Sequence, residues 1–225
     1  MKIIYEPKGR AREYSSLALN SYIGCHAACQ YCFAPSIMHD LRDHYHETVK
    51  PRTDAIMKWF EHDCIEMEQK KDTRRVHMNF VSDPYPPEEK ELHLTRYCIE
   101  TAMKHGVKIN ILTKGRYDLV RPDFDLFKAA DVHFGVTCCW YDDKFRKEWE
   151  PNASSVQDRV RLLKEAHGMG IFTWVSMEPV IFPSEALAFF RANHANVDLW
   201  KVGKLNYHAN AKTVDWAKFR EEFQA

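Results

Sequence analysis

The sequence predicts an α/β fold, a partial (β/α)6 barrel with parallel strands inside and helices outside. Three observations lead there. Six short β-type runs alternate with longer amphipathic segments, a pattern that implies a parallel sheet with right-handed crossovers. At 225 residues the chain falls short of the ~250 that eight such units usually take. Six units therefore describe an open barrel, with a doubly wound sheet as the alternative. Unusual polar residues also collect at the C-terminal ends of the strand runs, the rim where both architectures place function.

In chain order, residues 1–18 read as an N-terminal extension and 19–225 as six β/α units of a single domain. "LNSYIG" (19–24) is the first strand run and leads into "GCHAACQYCF" (24–33), with a charged helix expected over Thr53–Gln69. "VHMNFV" (76–81) is the second strand, ending at Ser82-Asp83-Pro84, and Pro86, Pro87, Glu88 and Glu89 open a helix running to about His105. "VKINIL" (107–112) ends at Thr113-Lys114-Gly115 before a helix near Asp123–Ala130. "VHFGVT" (132–137) ends at Cys138-Cys139 before a helix over Ser154–Gly168. "IFTWVSM" (171–177), a helix near Ser184–Asn193, "VDLWKV" (197–202) and a helix near Thr213–Phe223 complete the series.

Equal numbers of basic and acidic residues give a formal net charge of zero, which argues against a generally basic nucleic-acid binder. A hydrophobic content of 45% fits a folded globular chain. "MKIIYEPKGR" lacks the apolar core of a signal peptide and no apolar run approaches membrane-spanning length. A cytoplasmic location without membrane partners is expected. In that reducing setting the seven cysteines are metal ligands, catalysts or small core residues rather than disulfides.

Cys25, Cys29 and Cys32 stand at offsets of four and three. Three readings compete: thiols packed on one helical face, a zinc site completed by His26 or a distant cysteine, and an iron–sulfur cluster with three thiolates and one open iron. The last accounts best for three thiols without a fourth.

The C-x3-C-x2-C spacing of "GCHAACQYCF", with an aromatic residue before its last cysteine, resembles the radical S-adenosylmethionine superfamily. "EPKGRAREYSSLALNSYIGC", "VSDPYPPEE" (81–89), "LTKG" (112–115) and "EPNASS" (150–155) are similar to the spore photoproduct lyase-like subgroup, over nearly the whole chain. The resemblance implies the TIM-type core of that superfamily, with a [4Fe–4S] cluster on Cys25, Cys29 and Cys32. It also implies S-adenosyl-L-methionine as cofactor, cleaved to a 5′-deoxyadenosyl radical that abstracts hydrogen from a substrate. Ser82 and Asp83 would take the methionine ammonium, Lys114 its carboxylate, and Tyr31 and Phe33 the adenine. Thr137 is a further candidate for hydrogen-bonding the cofactor and Glu178 for ribose or substrate. Each has a plainer alternative: a helix cap or turn for Ser82 and Asp83, a solvated side chain for Lys114, and local strand-end roles for Thr137 and Glu178.

The subgroup pattern also breaks. The lyase carries a cysteine two residues before its serine–aspartate pair, where this chain has Phe80, and a tyrosine after the third cluster cysteine, where it has Phe33. The chain is therefore expected not to be the lyase itself. Alternation along the strand puts Cys139 on the side of Thr137 and makes it the candidate catalytic thiol, while Cys64 and Cys98 read as packing residues. Other rim candidates are Tyr85, Lys204, Asn206 and Tyr207. Arg10 and Arg12 are candidates for holding phosphate or carboxylate, and "KKDTRR" (70–75) reads as a solvated connection. Expected partners are a nucleic acid, nucleotide or peptide substrate and an electron donor of flavodoxin or ferredoxin type. A noncatalytic zinc- or cluster-stabilised nucleic-acid-binding module is the competing function.

Overall fold

The computed structural model describes residues 2–205 and 214–224. Asn206 and Tyr207, and Thr213 at the expected start of the last helix, lie outside that range. The elements follow in order as β1 (Leu17–Leu19), β2 (Tyr22–Ile23), α1 (Ala34–Ile37), α2 (Arg42–Glu47), β3 (Lys50–Pro51), α3 (Thr53–Gln69) and β4 (Val76–Met78). Next come α4 (Glu89–Leu92), α5 (Leu94–Lys104), β5 (Ile109–Thr113), α6 (Tyr117–Val120), α7 (Phe124–Ala129), β6 (His133–Thr137) and α8 (Asp143–Trp149). The chain continues through α9 (Val156–Gly168), β7 (Thr173–Val180), α10 (Pro183–Asn193), β8 (Leu199–Lys204) and α11 (Trp216–Gln224).

Six strands form one all-parallel sheet in the order β1-β4-β5-β6-β7-β8. Because the order follows the chain, the sheet is the open, singly wound barrel that the six β/α units predict, and the doubly wound alternative falls away. The first strand departs from expectation. The sheet strand is Leu17–Leu19, inside the expected N-terminal extension, whereas Tyr22–Ile23 leaves the barrel and pairs antiparallel with Lys50–Pro51. The cause is distant in sequence: Asn79 Oδ1 accepts the Ser21 N–H at 2.7 Å, and Asn20 Oδ1 accepts that of Phe80 at 2.8 Å. The helix expected after Pro87 is two helices, broken at left-handed His93, where the Glu89 carboxylate accepts the N–H groups of Leu94 and Thr95. Short helices α6 and α8 precede the expected α7 and α9.

Alternate strand residues face the helices and form the core. Phe134 of β6 packs on Phe124 and Phe127 of α7 with ring centroids 5.4 and 5.6 Å away. Burying each such side chain contributes about 1.5–3 kcal/mol. Cys64 and Cys98 are buried in this layer, as packing residues should be. The other set of strand residues faces inward. Trp174 lies against Gly135 of the neighbouring strand, where a Cβ would meet the indole at 2.3 Å.

The N-terminal segment spans the open side of the barrel. Tyr5 bridges to Ala18 of β1, and the Glu13 carbonyl accepts Lys201 Nζ of β8 at 2.6 Å. Between them Tyr14 inserts its ring beside His77 and Trp174 and hydrogen-bonds Ser176 Oγ at 2.8 Å.

Candidate functional site

The cysteine segment 25–33 is irregular chain, not helix, so its offsets do not place three thiols on one helical face. Its entry demands glycine: Gly24 has φ +89°, and a Cβ there would lie 2.0 Å from the Thr48 carbonyl oxygen. The Cys25 N–H then donates to the Tyr45 carbonyl at 3.2 Å. On its far side the segment is tied to the end of α8, with Gln30 N–H donating to the Trp149 carbonyl at 2.8 Å, and to the "EPNASS" loop, with Asn152 N–H donating to the Ala27 carbonyl at 3.4 Å.

All three thiols are free, Cys29 buried and Cys25 and Cys32 half-buried. Tetrahedral zinc, with Zn–S of about 2.3 Å, draws its sulfurs to roughly 3.8 Å apart. Among the described residues, the one trio of ligand atoms mutually within 4.8 Å is His62, Asp63 and Glu66, at the opposite rim. The three cysteine sulfurs do not form such a trio. Burial pushes all three thiols up, Cys29 to about 12, and Lys114 pulls Cys29 back toward the thiolate that a metal requires.

Asp83 and Lys114 join the ends of β4 and β5. Asp83 Oδ1 accepts the Tyr85 N–H at 2.8 Å and the Thr113 hydroxyl at 2.5 Å, while Oδ2 accepts the Lys114 N–H at 2.7 Å. A carboxylate offers about four acceptor positions, so three protein donors leave room for one more. Ser82 Oγ donates to the Tyr22 carbonyl at 3.0 Å. The turn-forming role of both residues is thus present in the structure.

Lys114 is half-buried, with Nζ 5.7 Å from the Tyr31 ring centroid. Among the described residues it has no carboxylate within ion-pair distance. Burial works against its charge, yet Cys29 and Glu150 more than offset this and hold its pKa above the ordinary lysine range. Beneath it lies a network that sequence reasoning did not identify. Glu150 and Arg159, both fully buried, pair at 2.6 Å, and the Tyr31 hydroxyl donates to Glu150. Arg159 also donates to the Thr137 carbonyl at 2.8 Å. Glu150 was visible only as part of "EPNASS"; its contact with Tyr31 spans 119 residues.

Cys139 is buried beside Glu150 and Lys114, with burial pushing its thiol well up. Phe33 stands half-exposed at the rim. Glu178 lies on the far side of the mouth, near Tyr14, Arg10 and Lys201, and burial raises its carboxyl. Gly203 makes room for it, since a Cβ there would lie 2.6 Å from the Glu178 carboxyl carbon.

Cys25, Cys29, Cys32, Tyr31, Asp83, Lys114, Thr137 and Cys139 therefore share one mouth of the barrel, and Glu178 flanks it. Tyr85 instead turns inward to Asp123, and Lys204 lies over the Trp216 ring. Arg10 and Arg12 are exposed, Arg10 facing Glu13 at 3.8 Å. The "KKDTRR" run is a solvated connection, with Arg74 paired to Asp72 and Glu6 and Arg75 to Asp131. No helix among the described residues is long and apolar enough to cross a membrane.

No family model matches the chain. It is 32% identical over 164 residues to an uncharacterized protein of Methanocaldococcus jannaschii, covering 72% of this chain and 60% of that one. It is 30% identical over 200 residues to an uncharacterized protein of Acidianus two-tailed virus, covering 82% and 63%. The chain thus spans about 60% of the length of these curated relatives. Among solved structures it is similar to a variant of spore photoproduct lyase with bound AdoMet and dinucleoside spore photoproduct, at TM-score 0.63 and 16% identity, over 98% of this chain and 63% of that one. It is also similar to Streptococcus suis SuiB bound to S-adenosylmethionine, at TM-score 0.62 and 15% identity, over 92% and 42%. The partial barrel is the fold this chain shares with both.

Proposed function

We propose that this chain is a radical S-adenosylmethionine enzyme, with a [4Fe–4S] cluster on Cys25, Cys29 and Cys32 and the cofactor bound across the ends of β4, β5 and β6. One observation carries the reading: three free thiols stand beside a half-buried lysine that, among the described residues, has no carboxylate within ion-pair distance, at the C-terminal mouth of an open parallel barrel. The folds of spore photoproduct lyase and SuiB support it.

When held by Cys25, Cys29 and Cys32, the cluster would supply the reducing electron for S-adenosylmethionine cleavage, and with it hydrogen-abstraction chemistry at this mouth. The rest falls to the protein. Lys114 offers a fixed cation to the methionine carboxylate, and its orientation is set by the Tyr31 face and by Asp83 on its backbone. Asp83 offers its remaining acceptor position to the ammonium. The backbone of residues 31–33 lines the adenine side. Glu150 and Arg159 hold Tyr31 and the end of β6 in register beneath. Cys139, kept by burial in the protonated form that carries an S–H bond, is the candidate hydrogen-atom donor.

The substrate is a nucleic acid, nucleotide or peptide, and the electron donor a small flavodoxin or ferredoxin. The precursor peptide bound to SuiB and the dinucleoside bound to the lyase variant are each compatible with an open barrel of this kind. Anaerobic reconstitution tests the reading: about four irons per chain are expected, and reduction with S-adenosylmethionine should release methionine and 5′-deoxyadenosine. One zinc per chain, or an intact cluster without cleavage, would reject it.

A further inference from the structure

The backbone carbonyls of all three motif cysteines are held by side chains from one short helix, α2. His46 Nδ1 lies 2.8 Å from the Cys25 carbonyl oxygen. A carbonyl only accepts, so this nitrogen carries the proton. Arg42 Nη2 donates to the Cys29 carbonyl, and Arg42 Nη1 reaches the Cys32 carbonyl at 3.4 Å. The backbone of the same helix receives the Cys25 N–H at Tyr45, and Gly24 is pressed against the Thr48 carbonyl just after it. The Tyr45 hydroxyl in turn donates to the Val81 carbonyl, anchoring α2 to the chain that follows β4. The helix thus grips the cysteine loop along its length. It does so through the His46 imidazole and the planar Arg42 guanidinium fork.

Building on the cluster reading above, we propose that Arg42 is a positioning and redox-tuning residue. It fixes the loop through two of the ligand carbonyls and sets a permanent positive charge beside the cluster that raises its midpoint potential. The physics is direct. Reduction adds one negative charge to the cluster, and a cation held against the loop favours the reduced form. Net charge, hydrogen bonding and solvent exposure are the levers that set such potentials. Arg42 is exposed on its outer side, so salt screens part of the effect. The expected change on removing the charge is about tenfold in the reduction equilibrium, or ~59 mV for a one-electron couple.

The test uses the anaerobically reconstituted full chain without S-adenosylmethionine, titrated with dithionite and followed by electron paramagnetic resonance. Arg42→Gln, which keeps a donor but loses the charge, is expected to lower the midpoint by about 59 mV. Arg42→Lys, which keeps the charge but loses the fork, should stay close to the wild-type midpoint while retaining less iron. An unchanged midpoint in Arg42→Gln at full iron content overturns the proposal, as does an equal shift in both variants. Where Arg42→Gln takes up no iron, hydrogen exchange of residues 24–33 in the metal-free protein decides. Faster exchange than wild type supports the clasp, and unchanged exchange overturns it. A wild-type chain that takes up no cluster at all refutes the underlying cluster reading, a result separable from both.

Discussion

Asp83 at the end of one barrel strand accepts the backbone N–H of Lys114 at the end of the next, at 2.7 Å. The candidate ammonium acceptor thereby sets the position of the candidate carboxylate donor, and the two act as one unit. Asp83→Asn replaces an acceptor oxygen by a donor NH2 group facing existing donors. Leaving buried groups unpaired costs about 1–3 kcal/mol each. Thermal unfolding should show a lower Tm, and calorimetry a weaker affinity for S-adenosylmethionine. Wild-type values for both would show that Asp83 holds neither.

On the proposed reading, Lys114→Ala removes a charge-assisted contact with the cofactor but no ligand of the cluster. Affinity for S-adenosylmethionine is expected to fall roughly tenfold to a hundredfold, the equivalent of about 1.5–3 kcal/mol. Iron content should stay at the wild-type level. Both are read on one anaerobic preparation, by calorimetry and by iron assay, and a cofactor affinity left intact would remove Lys114 from the site.

Glu150 and Arg159 pair at 2.6 Å with neither side chain exposed. Truncating one partner strands the other charge in the interior. Glu150→Ala should therefore destabilise the fold by about 3–5 kcal/mol. Replacing both residues by apolar ones of similar volume should cost clearly less. Urea unfolding of the two single variants and the double variant measures this, and additive losses would mean the pair is not coupled.

Gly24→Ala puts a methyl group where the Thr48 carbonyl sits, at a φ that alanine resists. The cysteine loop should shift while the sheet stays folded. Iron retention after reconstitution is expected to drop severalfold with an unchanged far-ultraviolet circular dichroism spectrum. A fully loaded Gly24→Ala protein would contradict the tight entry to the loop.

His77 faces the barrel interior, and the Asn110 side-chain amide donates to its Nδ1 at 3.1 Å. Burial first, and Lys201 second, lower its pKa from 6.5 to about 3. The unfolded chain then binds one more proton than the folded one between those values. Stability should be full above pH 6.5 and fall by about 1.4 kcal/mol per unit below it. Half-buried His133, lowered to about 4, adds a loss of the same sign over a narrower pH range and so a smaller total. Urea unfolding at pH 5 and pH 7 should show His77→Phe losing less stability on acidification than wild type. Equal losses would place the acid sensitivity elsewhere.

What could be read from the residues was what repeats locally. The β/α alternation located five of the six barrel strands to within a few residues, missing the first, and Thr53–Gln69 matches its helix end to end. Strand polarity marks the mouth, so the polar strand-end residues from Cys25 to Cys139 are legible from the sequence alone. What escaped was held by contacts between distant segments. The course of residues 20–23 depends on Asn79, and the site's deepest charges, Glu150 and Arg159, meet Tyr31 and Thr137 from other units. Tyr14 lies 162 residues from Ser176, which it contacts. Neither periodicity nor spacing reports a pairing of that kind. The helical-face alternative for the cysteines failed for a local reason, because Gly24 and Ala28, both at positive φ, bend the chain away from a helix.

The indole of Trp174, flat against Gly135 and flanked by Tyr14 and His77, gives the barrel a solid floor two residues below Ser176. The vessel is therefore shallow. A guest cannot sink along the barrel axis and must rest near the brim, beside the cysteine loop.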